Sequence, residues 1–138
     1  MDPDTKDANA PALDLIVAED DLGISAVLCR VLRGRGHGVR AFGNGREALE
    51  AARDQAPDAV LTDYQMPVMD GAELALAFAG DPELNRVPIV MITARGHRVP
   101  DEVTASARLV RVIPKPFGSR DIERVLDELC PLVQGDAA

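Results

Sequence analysis

Glu19, Asp20, Asp63 and Lys115 each stand at the end of a short apolar run, where a buried strand would not otherwise carry charge. Leu13-Asp14-Leu15-Ile16-Val17-Ala18 runs into Glu19-Asp20-Asp21, Ala59-Val60-Leu61-Thr62 into Asp63, and Leu109-Val110-Arg111-Val112-Ile113-Pro114 into Lys115. A fourth run, Ile89 to Ile92, ends in Thr93. If these runs are neighbouring parallel strands, their carboxyl ends share one sheet edge, which is where open α/β sheets bind ligands. Carboxylates gathered there repel one another unless their pKa values rise or a cation sits among them. Donors that are all oxygen, with no His or Cys, favour a hard ion, and Mg2+ in particular is held by one or two carboxylates with water and phosphate oxygens. A phosphoryl group could then take the open metal positions, with Lys115 pairing it from the other side and Thr93 donating a hydrogen bond. On this reading Asp63 is a ligand only, or also a nucleophile that attacks phosphorus to give an acyl phosphate.

Such a crevice needs elements that alternate strand and helix. After the first run, Ile24, Val27, Leu28, Val31 and Leu32 repeat at helical spacing, and Gly34, Gly36 and Gly38 supply the stop. Asp21 is the expected cap of this helix. Val39 to Phe42 reads as a short strand, and Asn44-Gly45-Arg46-Glu47 offers a capping side chain with a reciprocal Glu before a second helix over Ala48, Leu49 and Ala52. Asp70-Gly71-Ala72-Glu73 opens a third helix, with Asp70 as its cap and Leu74, Ala77 and Phe78 on its apolar side. A fourth helix, Val99 to Arg108, has little apolar face beyond Val99, Val103 and Ala107. Strand five is expected at Val110 to Ile113, and Ile122, Val125, Leu126 and Leu129 mark a fifth helix ending at Pro131. Five βα units predict an α/β fold with a parallel sheet and helices on both faces, because right-handed crossovers cover both sides. The expected organisation is a flexible tail over residues 1–12, one domain over 13–132 and a short tail over 133–138.

Composition narrows the classes. Twenty-three acids against fifteen bases give a net charge of −8, which repels nucleic acid and anionic membrane surfaces. No run reaches the roughly 18 apolar residues of a membrane span, and the polar start lacks the core of a secretory signal. Cys29 and Cys130 have neither CxxC nor metal-ligand spacing, and the expectation is two reduced thiols in a cytoplasmic protein. Only Lys6 and Lys115 are lysine among the fifteen bases, so Lys115 is the single compact ammonium of the folded body, suited to a point-charge contact. The Gly34-Arg35-Gly36-His37-Gly38 stretch reads as loop rather than ligand. Taken singly, Glu19-Asp20-Asp21 is an ordinary solvated loop, Lys115 an ordinary surface amine and Thr93 an ordinary strand former; it is the joint pattern that carries the reading.

Asp63-Tyr64-Gln65-Met66-Pro67-Val68-Met69-Asp70-Gly71 resembles the phosphoacceptor loop of response-regulator receiver domains, and Glu19-Asp20, Thr93-Ala94 and Lys115-Pro116-Phe117 follow in matching order and spacing. The resemblance covers about Leu13 to Leu132 and is closest to the stand-alone, chemotaxis-regulator-like members of two-component systems. It implies a flavodoxin-like, doubly wound sheet of strand order 2-1-3-4-5. It further implies that Asp63 accepts a phosphoryl group from a phosphohistidine on a sensor histidine kinase or histidine phosphotransfer protein. Asp20 and Asp63 are then direct Mg2+ ligands, Glu19 acts mainly through water, and the backbone carbonyl of Gln65 completes the protein ligands. Thr93 and Lys115 contact the phosphoryl oxygens, small Ala94 leaves the approach open, and Lys115-Pro116 is a candidate cis bond. Gln65 and Arg95 flank the phosphoryl group in this fold and tune its hydrolysis, Arg95 by shielding it from water.

Two departures bear on output. Three residues before Lys115 the family usually carries Tyr or Phe, and this chain has Val112, which cannot present an alternating ring. Arg108-Leu109 replaces the small pair that commonly precedes that strand. The expected function is a single-domain phosphorylation switch, not an enzyme acting on other substrates, that controls a partner protein through the face of helix four, strand five and helix five. A phosphorelay intermediate passing phosphate to a second histidine protein, and a degenerate receiver acting as a protein-binding module, are the alternatives. A related phosphatase would need an acid where Gln65 stands, and an FMN carrier would need a Ser/Thr/Gly phosphate loop where Glu19 and Asp20 stand.

Overall fold

The structure, a computed structural model, describes residues 12–94 and 98–137, the side chains of 134–137 excepted. Expectations for the tail before Ala12, and for Arg95, lie outside the described residues. The elements are β1 (Asp14–Ala18), α1 (Leu22–Gly34), β2 (Gly38–Phe42), α2 (Gly45–Asp54), β3 (Ala59–Asp63), α3 (Gly71–Ala79), β4 (Ile89–Ala94), α4 (Asp101–Ser106), β5 (Leu109–Lys115) and α5 (Ser119–Ala137). All five strands are parallel, in the order β2-β1-β3-β4-β5. This is the α/β, flavodoxin-like arrangement that the βα alternation and the resemblance implied.

Alternation along the buried strands divides the core in two. Ile16, Val60, Ile89 and Met91 face α2, α3 and α4 with Leu49, Leu74, Phe78 and Val103. Leu15, Val17, Leu61, Val90 and Ile92 face α1 and α5 with Leu28, Leu32, Ile122, Val125 and Leu129. Strands buried on both faces read as unbroken apolar runs, and all of β3 is buried, Asp63 included. Register aligns the carboxyl ends: Ala18 pairs Thr62, Asp63 pairs Ile92, Thr93 pairs Pro114, and Ala94 pairs Lys115.

Local chemistry sets the helix starts. Asp21 accepts from the Ile24 amide, Asn44 from the Glu47 amide, and Asp70 with Glu73 forms a full capping box. Three elements depart most from the sequence expectation. Helix α5 continues through Pro131 to Ala137 instead of ending there, so residues 133–137 are helical rather than a tail. The missing amide costs one helical hydrogen bond, but Leu129 before the proline and Val133 after it still pack against the sheet. Helix α4 spans six residues, not Val99 to Arg108: Pro100 precedes it without a side-chain cap, and Ala107 turns extended after Val103, the one residue it buries. Strand β5 is longer than Val110 to Ile113, because pairing with β4 persists to Lys115.

His37 is a structural residue, as its loop setting suggested. It is buried, and its Nδ1 accepts from the Leu13 amide at 3.0 Å. Among the described residues no helix is long and apolar enough to cross a membrane.

Candidate functional site

Asp63 ends β3 and Glu19 follows β1, so the pairing of those strands sets the two acids side by side. One carboxylate oxygen from each of Glu19, Asp20 and Asp63 lies within 4.8 Å of the others. Glu19 and Asp63 are buried while Asp20 is exposed, so the cluster opens to solvent on the Asp20 side. Lys115, at the end of β5, reaches across β4 to place Nζ 3.2 Å from Asp63 Oδ2 and 3.3 Å from Glu19 Oε1. The Lys115–Pro116 peptide that follows is cis.

The two Glu19 oxygens differ. Oε2 accepts from the Asp21 amide at 3.1 Å, whereas Oε1 is buried and has no hydrogen-bond partner among the described residues, facing the Lys115 ammonium as an ion pair only. Burial pushes the Glu19 carboxyl up to about 7, with the charge of Asp63 adding to the effect and the Asp21 amide and Lys115 opposing it. Burial draws the Lys115 ammonium down, but its hydrogen bond to Asp63 and the charges of Asp63 and Glu19 outweigh that, and its pKa stands above the ordinary lysine value. Lys115 is therefore a fixed cation at any physiological pH. Three carboxyl groups share one ammonium, and a divalent hard cation is the species that would let all three stand together as carboxylates. An all-oxygen donor set, in which the buried Glu19 Oε1 has an ion-pair partner but no hydrogen bond, fits Mg2+.

The other expected site residues take the following places. Thr93 is buried at the end of β4, one residue beyond the Ile92 that pairs with Asp63. Ala94 is exposed and opposite Lys115, and Gln65 is exposed in the loop after β3. Val112 lies on β5 away from the cluster, 39% exposed.

Loop β3–α3 is fixed by its backbone. The Tyr64 amide donates to Ile92 O at 2.8 Å, the Gly71 amide to Tyr64 O at 2.8 Å, and the Gly45 amide to Met69 O at 2.9 Å. Gly71 is required here by space, since a Cβ would stand 2.3 Å from Asp63 O.

Sequence reasoning missed two features of the site. One is the Asp21 amide that holds Glu19, because a backbone donor has no residue signature. The other is a largely apolar groove of about 590 Å3 beside Lys115, lined by Gly23, Ile24, Val27, Ala94, Pro116 and Phe117. Its only sequence signal was that Val27 is one apolar residue more than the buried face of α1 needs.

Comparison with known proteins gives one family. The profile of the response regulator receiver domain matches residues 15–127. The response regulator receiver protein CpdR of Brucella abortus is 33% identical over 116 residues, covering 83% of this chain and 94% of that protein. The DNA-binding response regulator MtrA of Mycobacterium tuberculosis is 33% identical over 108 residues, 78% of this chain but 46% of MtrA. The chain thus spans about half the length of the MtrA relatives it matches. Among solved structures, the receiver domain of the sensor histidine kinase PA1611 from Pseudomonas aeruginosa, with a magnesium ion coordinated in its active site cleft, superposes with a TM-score of 0.77 at 27% identity, covering 87% of this chain and 98% of that one.

Proposed function

The chain belongs to the response regulator receiver domain family of two-component signalling, and from that premise we propose that Asp63 accepts a phosphoryl group from a phosphohistidine in a Mg2+-dependent reaction. The observation that carries the reading is the Lys115 ammonium within 3.3 Å of both Asp63 and Glu19, inside a cluster of three acids. A structural lysine would need one acid to neutralise it. Here it faces two, with a third beside them, which is the arrangement for a site that also takes a cation and a phosphoryl group.

Asp20, Asp63 and the Gln65 carbonyl would hold the metal, with Glu19 acting mainly through water. Bound there, Mg2+ supplies positive charge that screens the acids and the phosphoryl oxygens. The Asp63 carboxylate forms the new O–P bond as the P–N bond of phosphohistidine breaks, and the imidazole leaves as its neutral form once protonated. Lys115 moves from pairing with Asp63 to pairing with the phosphoryl oxygens, and Thr93 donates to them. Loss of the Lys115–Asp63 contact and arrival of new negative charge bias the segment after Thr93 between two arrangements. Gln65 and Arg95 tune how fast water removes the phosphoryl group.

The donor is a sensor histidine kinase or a histidine phosphotransfer protein. The apolar groove beside Lys115 supports this, since it lets an apolar helix carrying the donor histidine settle against α1 and the Pro116-Phe117 turn. Output goes to a protein partner through α4, β5 and α5, without the aromatic readout that Val112 cannot provide. The reading places the protein in the cytoplasm, in keeping with Cys29 and Cys130 standing outside any disulfide.

Incubation with Mg2+ and acetyl phosphate followed by intact mass tests the central claim. The parent gains one phosphoryl group and Asp63→Asn gains none. A parent that gains nothing under small or protein donors, or an Asp63→Asn chain that gains as much, overturns it.

A further inference from the structure

Within the fully buried strand β3, Thr62 is the single uncharged polar side chain, and it is completely enclosed on the face it shares with Val60. Its hydroxyl is not used for packing between strands. It donates at 2.9 Å to the carbonyl of Asp63, the next residue along. That same carbonyl is the atom against which Gly71 is packed so closely that no Cβ fits. The peptide leaving Asp63 is therefore gripped on its oxygen by Thr62 and Gly71, on its nitrogen by Ile92 O, and one residue later by the Gly71 amide on Tyr64 O.

On the proposed reading of the site, we propose that Thr62 is a positioning residue for phosphoryl transfer: its hydroxyl fixes the Asp63–Tyr64 peptide and through it both the Asp63 carboxylate and the Gln65 carbonyl. The two groups lie on opposite sides of that one peptide along the chain, so its rotation moves one relative to the other. A carboxylate and a carbonyl that must serve one cation need that relation held to a fraction of an ångström. An aliphatic side chain at this position would fill the same volume but not hold the oxygen. Valine would also place a methyl 2.9 Å from the carbonyl, inside the ~3.3 Å at which carbon–oxygen contacts begin, and push the peptide away.

The test compares Thr62→Val and Thr62→Ser with the parent by phosphorylation rate with acetyl phosphate, by Mg2+ affinity in calorimetry and by thermal melting. The expected result is roughly tenfold slower acyl-phosphate formation and several-fold weaker Mg2+ binding in Thr62→Val, with Thr62→Ser within about twofold of the parent in both. A purely structural threonine would lower the melting temperature in both variants and leave the rate per folded molecule unchanged. Thr62→Ala removes the hydroxyl without the clash and serves in the same comparison if the valine chain does not fold. Parental rate and affinity in Thr62→Val, or equal losses in Thr62→Ser, overturn the positioning role alone. A parent that neither binds Mg2+ nor takes phosphate overturns the reading of the site and this role with it.

Discussion

Glu19 carries a tension that a list of charged residues does not reveal. Glu19-Asp20-Asp21 is legible as an acidic loop start, and its identity as a site followed from Asp63 and Lys115 at matching strand ends. That Glu19 is the buried member and Asp20 the exposed one was not legible, because burial depends on which side of the β1 exit the α1 cap folds over. The carboxyl pKa of about 7, raised chiefly by burial, stands above its unfolded value of 4.5, so protonated Glu19 favours the fold. That contribution is complete below pH 4.5 and is lost as pH rises through 7. A metal bound as proposed has the opposite preference, since it needs the carboxylate. Apparent Mg2+ affinity should therefore be about tenfold weaker at pH 6 than at pH 8 and level above that. Calorimetry in buffers of different ionisation enthalpy should show a proton released on binding near pH 6.5; an affinity equal at pH 6 and pH 8 would refute the account.

At the scale of elements, the helices with strong signals were legible from sequence. Period 3.6 in α1 and the Asp21, Asn44 and Asp70 caps fixed their starts, because capping is a local reaction between a side chain and amides two or three residues on. Boundaries decided by tertiary contact were not. Pro131 is a local stop signal overruled by packing on both sides of it, and the fourth helix shrank because Val99 is buried outside it rather than within it. The β3–α3 connection holds a further surprise. Val68 has φ of 70°, a left-handed conformation that a β-branched side chain adopts at a cost of about 1–2 kcal/mol. Nothing in the residue type announces this. It arises because the Gly45–Met69 and Met69–Pro67 hydrogen bonds close the turn around it. Val68 is 71% exposed, so its side chain returns little by burial. Val68→Gly should stabilise the chain by about 0.5–1 kcal/mol after the extra backbone entropy of glycine is counted, read as a higher urea midpoint with unchanged slope. A lower midpoint would mean that the valine side chain contributes more than its exposure suggests.

The whole molecule concentrates opposing charge at one sheet edge while carrying a net charge of −8. The strand order explains how four short runs become one site: β1, β3 and β5 bring the acids and the amine, and β4 stands between β3 and β5 to carry Thr93. Order 2-1-3-4-5 was legible only through the family resemblance, since alternation alone dictates a parallel sheet without saying which strands are neighbours. A cation that binds the folded cluster and not the unfolded chain must stabilise the fold by mass action. At Mg2+ a hundredfold above its dissociation constant the gain is about 2.7 kcal/mol, and at roughly 3–4 °C per kcal/mol for a domain of this size that is about 8–11 °C. Melting curves should rise by about 10 °C with Mg2+ in the parent and by much less in Asp63→Asn. Equal rises in the two would locate the binding elsewhere.

The distance along the chain between Glu19 and Lys115 has a consequence for biosynthesis. The acids emerge from the ribosome before the amine that faces them, so every intermediate lacking β5 carries an uncompensated acidic edge. Docking of the final strand is then drawn in by charge as well as by apolar contact. On the proposed reading, a partly synthesised sheet without β5 also lacks the ammonium beside Asp63, so competence to accept a phosphoryl group waits for the last strand.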